Sequence, residues 1–492
     1  MILYLHGAMP SFKIHSSWSV SGLITILILI SGHASAQKWV DTLYTIQTTY
    51  DVVYGQDTGF AGRLDTLKLD ISIPQNDTPS ACGRPLLVVV HGGAWVAGDK
   101  NDGYAKRLRE DFAKRGYVTA SVNYRMGYFN TEKAVNCNVS GWNCFNATDS
   151  SEWYRANYRG MQDVRGAIRY LVNTKSTYSI DPNHVYLVGE SAGGFIALST
   201  GYLDDPSEVM TGLSAAMPSA PKPNAIYDNP CVQKYNMASN IASMSLTRPN
   251  LGSYIGRLNQ PLKDSVRIRA VGSIFGGSFN NLFETFQSPA PALYLYHQPC
   301  DLIVPYNHDR LLAGFNSCMM QFPTNCGTII NRPGCYGGKG IADLIDTLAA
   351  QGKPTITYLF DRSTNGYGCA EQALDPSKVC HAIDNYWLRT KNMAAFFSEQ
   401  MDSCAIGAIL SMQVQTLSIY PNPSSDIVTI DWEQKSEFEE LTVLDVNGRS
   451  HFPTITQHNN TLHVSLHALH AGMYFVRIQS HGTIWMGKFV KN

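Results

Sequence analysis

The chain has almost no net charge and little charge of any sign. Over 492 residues, 38 Lys and Arg stand against 39 Asp and Glu, and charged residues make up only 16%. So balanced a composition gives no support for binding a polyanion, and no nucleic acid is expected among the partners. Beyond the N-terminal segment no apolar run is long enough to cross a bilayer, so no transmembrane anchor is expected. No two cysteines have Cys-x-x-Cys spacing, which argues against zinc and thioredoxin-like sites, and no metal is expected. No internal repeat is present.

What is there suits a compact globular protein of two or three domains: 26 Tyr, 19 Phe and 8 Trp in a chain of this length. Lys13, the apolar run Gly22 to Ile30 and the small residues Ala34-Ser35-Ala36 have the layout of a secretory signal. We read residues 1–36 as that signal, with Gln37 first in the mature chain. Eleven cysteines on an exported chain imply disulfides and leave at least one thiol unpaired. Cys137 with Cys144, Cys318 with Cys326 and Cys369 with Cys380 are plausible loop staples.

The most informative stretch runs Val185-Tyr186-Leu187-Val188-Gly189-Glu190-Ser191-Ala192-Gly193-Gly194. A buried-strand pattern leads directly into Gly-x-Ser-x-Gly, and Phe195-Ile196-Ala197-Leu198 continues as a helix. Strand, sharp turn and helix are the setting of a nucleophile elbow, whose strained serine tolerates no bulk at the flanking glycines. A glycine-rich turn that merely contains a serine is the alternative, so partners for Ser191 are needed.

Around this stretch the pattern is that of an α/β fold with a mostly parallel sheet. Thr66–Pro74 alternates like a half-exposed edge strand. Pro85–Val90 and Tyr117–Arg125 read as buried strands, and Met161, Val164, Ile168, Leu171 and Val172 fall on one helix face. Residues 203–266 read as an irregular insertion. Ala270–Phe275, Ala292–His297 and Thr355–Phe360 read as later strands, and Asn385 to Phe397 as a closing helix. Beyond residue 416, short alternating strands with turns such as Asn447-Gly448 suggest a small β-sandwich.

A serine hydroxyl needs a base, usually an imidazole oriented by a carboxylate. In the α/β region after Ser191 the histidines are His297, His308 and His381. Only His381 lies beyond the last strand and before the final helix, so it is assigned as the base. Asp301, just past the end of a strand, is the acid, and Asp361, which also follows a strand, is its competitor. The oxyanion donors are the N–H groups of Ala192 and of Gly93 and Ala94, in the turn His91-Gly92-Gly93-Ala94-Trp95. His91 is expected to brace that turn, and Trp95 to line the acyl site or simply to pack.

His91-Gly92-Gly93-Ala94-Trp95 together with Gly189-Glu190-Ser191-Ala192-Gly193 resembles the α/β-hydrolase esterases. The likeness is to the hormone-sensitive-lipase-like, feruloyl/acetylxylan-esterase-like and carboxylesterase groups, over about residues 65–401. Glu190 and Asn123-Tyr124-Arg125 echo type-B carboxylesterases, which usually use Glu as the acid, whereas Asp301-Leu302-Ile303-Val304-Pro305 resembles shorter esterases. The resemblance implies hydrolysis of carboxylic esters through an acyl-enzyme, with no metal or organic cofactor. In the tail, Leu417-Ser418-Ile419-Tyr420-Pro421-Asn422-Pro423, Leu444-Asp445-Val446-Asn447-Gly448-Arg449 and Ala471-Gly472-Met473-Tyr474-Phe475 resemble a type IX secretion sorting domain. That implies the type IX machinery as a partner and a secreted or cell-surface location; a carbohydrate-binding or adhesion sandwich is the alternative.

The expected organisation is a signal peptide (1–36), a catalytic domain (37–405), a linker (406–416) and a sorting domain (417–492). The expected function is a secreted serine esterase, acting on small acyl esters or acyl groups of plant polysaccharides. An aryl formamidase, which shares a His-Gly-Gly-x-Trp turn, a peptidase, or a non-catalytic adhesion protein on the same scaffold are the alternatives.

Overall fold

Alternation along the central strands sorts the core into two layers. In β3 (Arg84–Val90), Leu86, Val88 and Val90 point to one side of the sheet and Leu87 and Val89 to the other, all essentially unexposed. In β5 (Ile180–Glu190), Val185 and Leu187 join the first side and Tyr186 and Val188 the second. Strands apolar on both faces need helices on both faces, and the chain supplies them.

The structure is a computed structural model. It describes residues 38–129 except 61 and 63, 150–210, 213, 230–231, 249–314 except 287–288, 332–402, 414–432, 440–446, and 450–492 except 452, 459 and 481–482. The signal-peptide segment and Cys137, Cys144, Cys318 and Cys326 lie outside the described residues.

The main sheet adds β1 (Thr45–Thr58), β2 (Leu64–Gln75), β4 (Val118–Val122), β6 (Ile268–Ile274), β7 (Ala292–His297) and β8 (Tyr358–Arg362). Its order is β1-β2-β4-β3-β5-β6-β7-β8. The pairs β1–β2 and β2–β4 are antiparallel, and every pair from β4–β3 to β7–β8 is parallel. On one face α1 (Gly103–Lys114) and α5 (Tyr386–Ser398) contribute Leu108, Phe112, Met393 and Phe397. On the other, α2 (Ser150–Asn173), α3 (Ala192–Tyr202) and α4 (Gly338–Ala350) contribute Met161, Ile168, Phe195, Ile196 and Ile341. This is the α/β-hydrolase arrangement.

Two expectations change. The strand read at Thr66–Pro74 is no edge: β2 is paired on both sides, and the edge is β1, a polar strand whose Thr, Gln and Asp residues carry little apolar signal. Nor does Cys380 pair with Cys369. It bonds to Cys300, and Cys369 is engaged in another disulfide. Part of the irregular insertion, 249–266, does run without regular structure; it is fastened to α2, where Arg165 donates to the Tyr254 carbonyl (2.8 Å) and Arg169 to those of Leu258 (2.6 Å) and Ile255 (2.8 Å).

The C-terminal region is an all-β sandwich of a five-stranded and a four-stranded sheet. Val428, Ile430, Trp432, Val443, Val464, Val476 and Phe489 form its own core. The first of its strands, Val414–Thr416, lies within the stretch read as linker and pairs in parallel with Ile484–Met486.

Candidate active site

The C-terminal ends of β3, β5, β6, β7 and β8 deliver the site, as parallel sheets generally do. At the end of β5, Ser191 is held at φ 51°, ψ −123°, as N-cap of α3. The elbow leaves no room at its glycines: a Cβ on Gly189 would lie 2.0 Å from the Gly193 carbonyl oxygen, and one on Gly193 2.2 Å from that of Val90. The turn is anchored to the next strand by the Ser191 N–H, which donates to the Ile274 carbonyl (2.9 Å).

Ser191 Oγ lies 2.8 Å from His381 Nε2, and His381 Nδ1 lies 2.8 Å from Asp301 Oδ2. The three residues, separated by 110 and 80 positions, thus meet in one line of hydrogen bonds. Asp301 is buried, and its Oδ1 accepts the N–H groups of Ile303 (2.8 Å) and Val304 (3.1 Å). Burial alone would raise its carboxyl, but the charge of His381 and hydrogen bonds from His297 and His381 outweigh that and hold it down at about 2. An ionised Asp301 requires the proton of His381 on Nδ1, leaving the Nε2 lone pair to accept from Ser191 Oγ.

Sequence reasoning set His297 aside, yet it completes this arrangement. It is fully buried at the end of β7. The Gly338 N–H donates to its Nδ1 (3.0 Å), so the ring proton sits on Nε2, which donates to Asp301 Oδ2 (3.1 Å). Asp301 Oδ2 therefore takes two imidazole protons. The available signal was a histidine on a buried strand four residues before the acid. Asp361 is not in the site. Its carboxylate accepts from Tyr294 Oη (2.6 Å), Asn392 Nδ2 (2.9 Å) and the Arg389 guanidinium, on the α5 side of the sheet.

The turn after β3 carries three consecutive positive φ angles, at Gly93 (106°), Ala94 (51°) and Trp95 (60°). It is closed by Val96 and Ala97 N–H groups donating to the Gly93 carbonyl (3.0 and 2.9 Å). Ala192, first in α3, has an N–H with no carbonyl available inside the helix, as every helix start does. His91 braces the turn: its ring stacks on Tyr124 (4.5 Å between centroids) and its Nδ1 meets the Gly92 carbonyl at 2.7 Å. Trp95 packs edge-on against Trp153 and Phe195. With Ala94, Ser191, Ala192, Ile303, Val304, Leu311 and Leu312 these rings line a cavity of about 30 Å³ beside the serine. Glu190, next to the serine, is only partly exposed; burial pushes its carboxyl up to about 7, against the opposing pull of the Gly92 N–H and His381.

No group of three or more His, Cys, Asp or Glu that could hold a metal occurs among the described residues, and none of their helices is long and apolar enough to cross a membrane.

The fold, with a serine on a β-to-α elbow, is that of an α/β-hydrolase. Within it, residues 69–136 and 155–314 match the family model described as BD-FAE, and residues 418–492 match the secretion system C-terminal sorting domain. The chain thus has the α/β-hydrolase fold, with a BD-FAE match within it and a secretion-sorting match in the tail. It is 33% identical over 129 residues to the neuroligin-like protein glit-1 of Caenorhabditis elegans (26% of this chain, 15% of that one). To a probable isoprenylcysteine alpha-carbonyl methylesterase of Oryza sativa it is 28% identical over 157 residues (32% and 28%). To the carboxylesterase patB of Aspergillus clavatus it is 32% identical over 141 residues (26% and 23%). The chain thus spans less than a third of the length of each. Among solved structures, a truncated carbohydrate esterase from gut microbiota superposes with a TM-score of 0.37 at 16% identity, covering 74% of this chain and 99% of that one.

Proposed function

We propose that the chain is an exported serine esterase acting on short acyl esters, with Ser191 as nucleophile, His381 as general base and Asp301 as the acid that orients it. The observation that carries this reading is the unbroken relay Ser191 Oγ–His381–Asp301, both links at 2.8 Å. In the forward step Ser191 Oγ attacks the ester carbonyl while His381 Nε2 takes its proton. The Asp301 carboxylate stabilises the imidazolium, and the N–H groups of Ala192, Gly93 and Ala94 receive the developing oxyanion. His381 then protonates the departing alcohol, and water, deprotonated by the same imidazole, releases the acid from the acyl-enzyme.

The cavity of about 30 Å³ beside Ser191 supports a short acyl group, such as the acetyl esters carried by plant polysaccharides. A formyl group fits the same space, which keeps an aryl formamidase as the second reading. The tail supports export through the type IX machinery, to the medium or the cell surface. Ser191→Ala and His381→Ala are each expected to abolish p-nitrophenyl acetate turnover with the circular dichroism spectrum unchanged. Wild-type rates in either variant reject the assignment, and acetyl, feruloyl, formyl-anilide and peptide substrates separate the remaining readings.

A further inference from the structure

The residue immediately before the acid and the residue immediately before the base are joined covalently. Cys300 and Cys380 form a disulfide across 80 positions of sequence, with their Cα atoms 5.4 Å apart. We propose that this disulfide is a positioning element of the site, holding the Asp301 carboxylate and the His381 imidazole in register, so that turnover requires its oxidised state. The proposal rests on the triad reading given above.

The two partners differ in how they are otherwise held. Asp301 is fixed by the end of β7, by the Ile303 and Val304 N–H groups and by His297. His381 has no such support. It lies between the short turn Pro376–Lys378 and α5, and its side chain meets only Ser191, Asp301 and the ring of Phe275 (4.6 Å between centroids) among the described contacts. Downstream its loop is fastened by polar side chains. Gln298 Nε2 donates to the Ala382 carbonyl (2.6 Å), Tyr104 Oη accepts the Ile383 N–H (3.1 Å) and Tyr296 Oη the Asp384 N–H (2.9 Å). Directly upstream the fastening is the disulfide. Three of these ties (Tyr296, Gln298 and Cys300) come from the same strand end that presents Asp301. Base and acid are therefore referenced to one piece of backbone, and severing the covalent tie frees the base on one side only.

The bond is open to reduction. Cys380 is buried, but Cys300 is partly exposed, so a small dithiol can attack from that side. Exchange transfers two electrons and two protons: the reagent closes to its cyclic disulfide and the protein gains two thiols. Cys335, the free cysteine among the described residues, is wholly buried, and burial raises its thiol far above the usual range, so it does not enter the exchange.

The test uses the full chain with p-nitrophenyl acetate. In the double variant Cys300→Ser/Cys380→Ser, assayed well below its own Tm, kcat is expected to fall ~10- to 10²-fold with KM changed less than about twofold, since a loosened base misplaces the reacting atoms without altering the acyl cavity. Reducing the wild type with dithiothreitol is expected to reproduce the loss, reoxidation to restore it, and the reagent to leave the double variant unaffected. A folded double variant with wild-type kcat overturns the proposal, as does a loss that disappears on cooling, because that marks stability alone. Should the variant not fold, graded reduction of the wild type decides the question by the same criteria, with circular dichroism as the check on folding and alkylation with peptide mapping to show whether the loss tracks opening of Cys300–Cys380 or of the disulfide that holds Cys369. A wild type without esterase activity would instead refute the function proposed above, so the two failures are distinguishable.

Discussion

Replacing Asp301 by asparagine tests the relay most directly, because the structure dictates what the amide must do. One carboxylate oxygen accepts two backbone N–H groups, and the other accepts two imidazole protons. An asparagine oxygen turned toward Ile303 and Val304 keeps the loop intact and aims the NH2 at both imidazoles; His297, whose Nδ1 accepts from Gly338, keeps its Nε2 proton and directs it to the Val304 carbonyl (3.2 Å). His381 must then give up its Nδ1 proton and carry it on Nε2, where it donates to Ser191 instead of accepting from it. The opposite orientation sets the NH2 against two N–H donors and leaves both unpaired, which costs about 1–3 kcal/mol each. The first orientation wins, so the fold survives and the base is lost. Loss of the correct tautomer in a Ser-His-Asp triad lowers kcat by ~10⁴, or about 5.5 kcal/mol of transition-state stabilisation. Steady-state kinetics on p-nitrophenyl acetate should show that drop with KM nearly unchanged. Asp361→Asn is the control: it loosens a cluster with Tyr294, Arg389 and Asn392, so Tm should fall while kcat stays within about threefold. Near-wild-type kcat in Asp301→Asn, with collapse in Asp361→Asn, would refute the reasoning.

Gly189→Ala drives a Cβ to 2.0 Å from a backbone oxygen that cannot move aside, so a loss of more than ~4 kcal/mol is expected, read as little soluble protein or a Tm lowered by tens of degrees. Asp301 titrates at about 2 in the folded chain against 3.8 ordinarily. Its contribution, roughly 2 kcal/mol, is therefore complete above pH 4 and lost as pH falls toward 2. Urea unfolding of the wild type should show this extra acid sensitivity relative to Asp301→Asn, and identical slopes would count against it. Leu311→Ala enlarges the cavity beside Ser191, so kcat/KM for butyrate relative to acetate should rise ~10-fold, as a methylene or two of added space allows. An unchanged ratio would mean the acyl group binds elsewhere.

Local chemistry was legible in the sequence. The elbow at Gly189–Gly193 could be read because its constraint is steric and short-range: backbone packs on backbone within a few residues. The buried strands before His91 and Ser191 were legible because strands covered on both faces leave continuous apolar runs. The C-terminal strands were legible from alternation and turn residues. A polar edge strand, Thr45–Thr58, leaves no such mark and was not read.

Tertiary structure alone decided what depends on which distant groups meet. Asp301 and Asp361 both come at the ends of neighbouring strands, and sequence position preferred Asp301 while leaving Asp361 as its competitor. The strand period of two turns Asp361 toward α5, whereas the turn beyond β7 brings Asp301 under His381. Nothing in the sequence marks Gly338, 41 residues on, as the donor that fixes the His297 tautomer, or Cys380 as the partner of Cys300 in place of the nearer Cys369. The first follows from where α4 begins against the end of β7, the second from the path of the His381 loop past that same strand end. Short-range sterics are written residue by residue; the meeting of side chains 80 and 110 positions apart is fixed only when the sheet has closed around them.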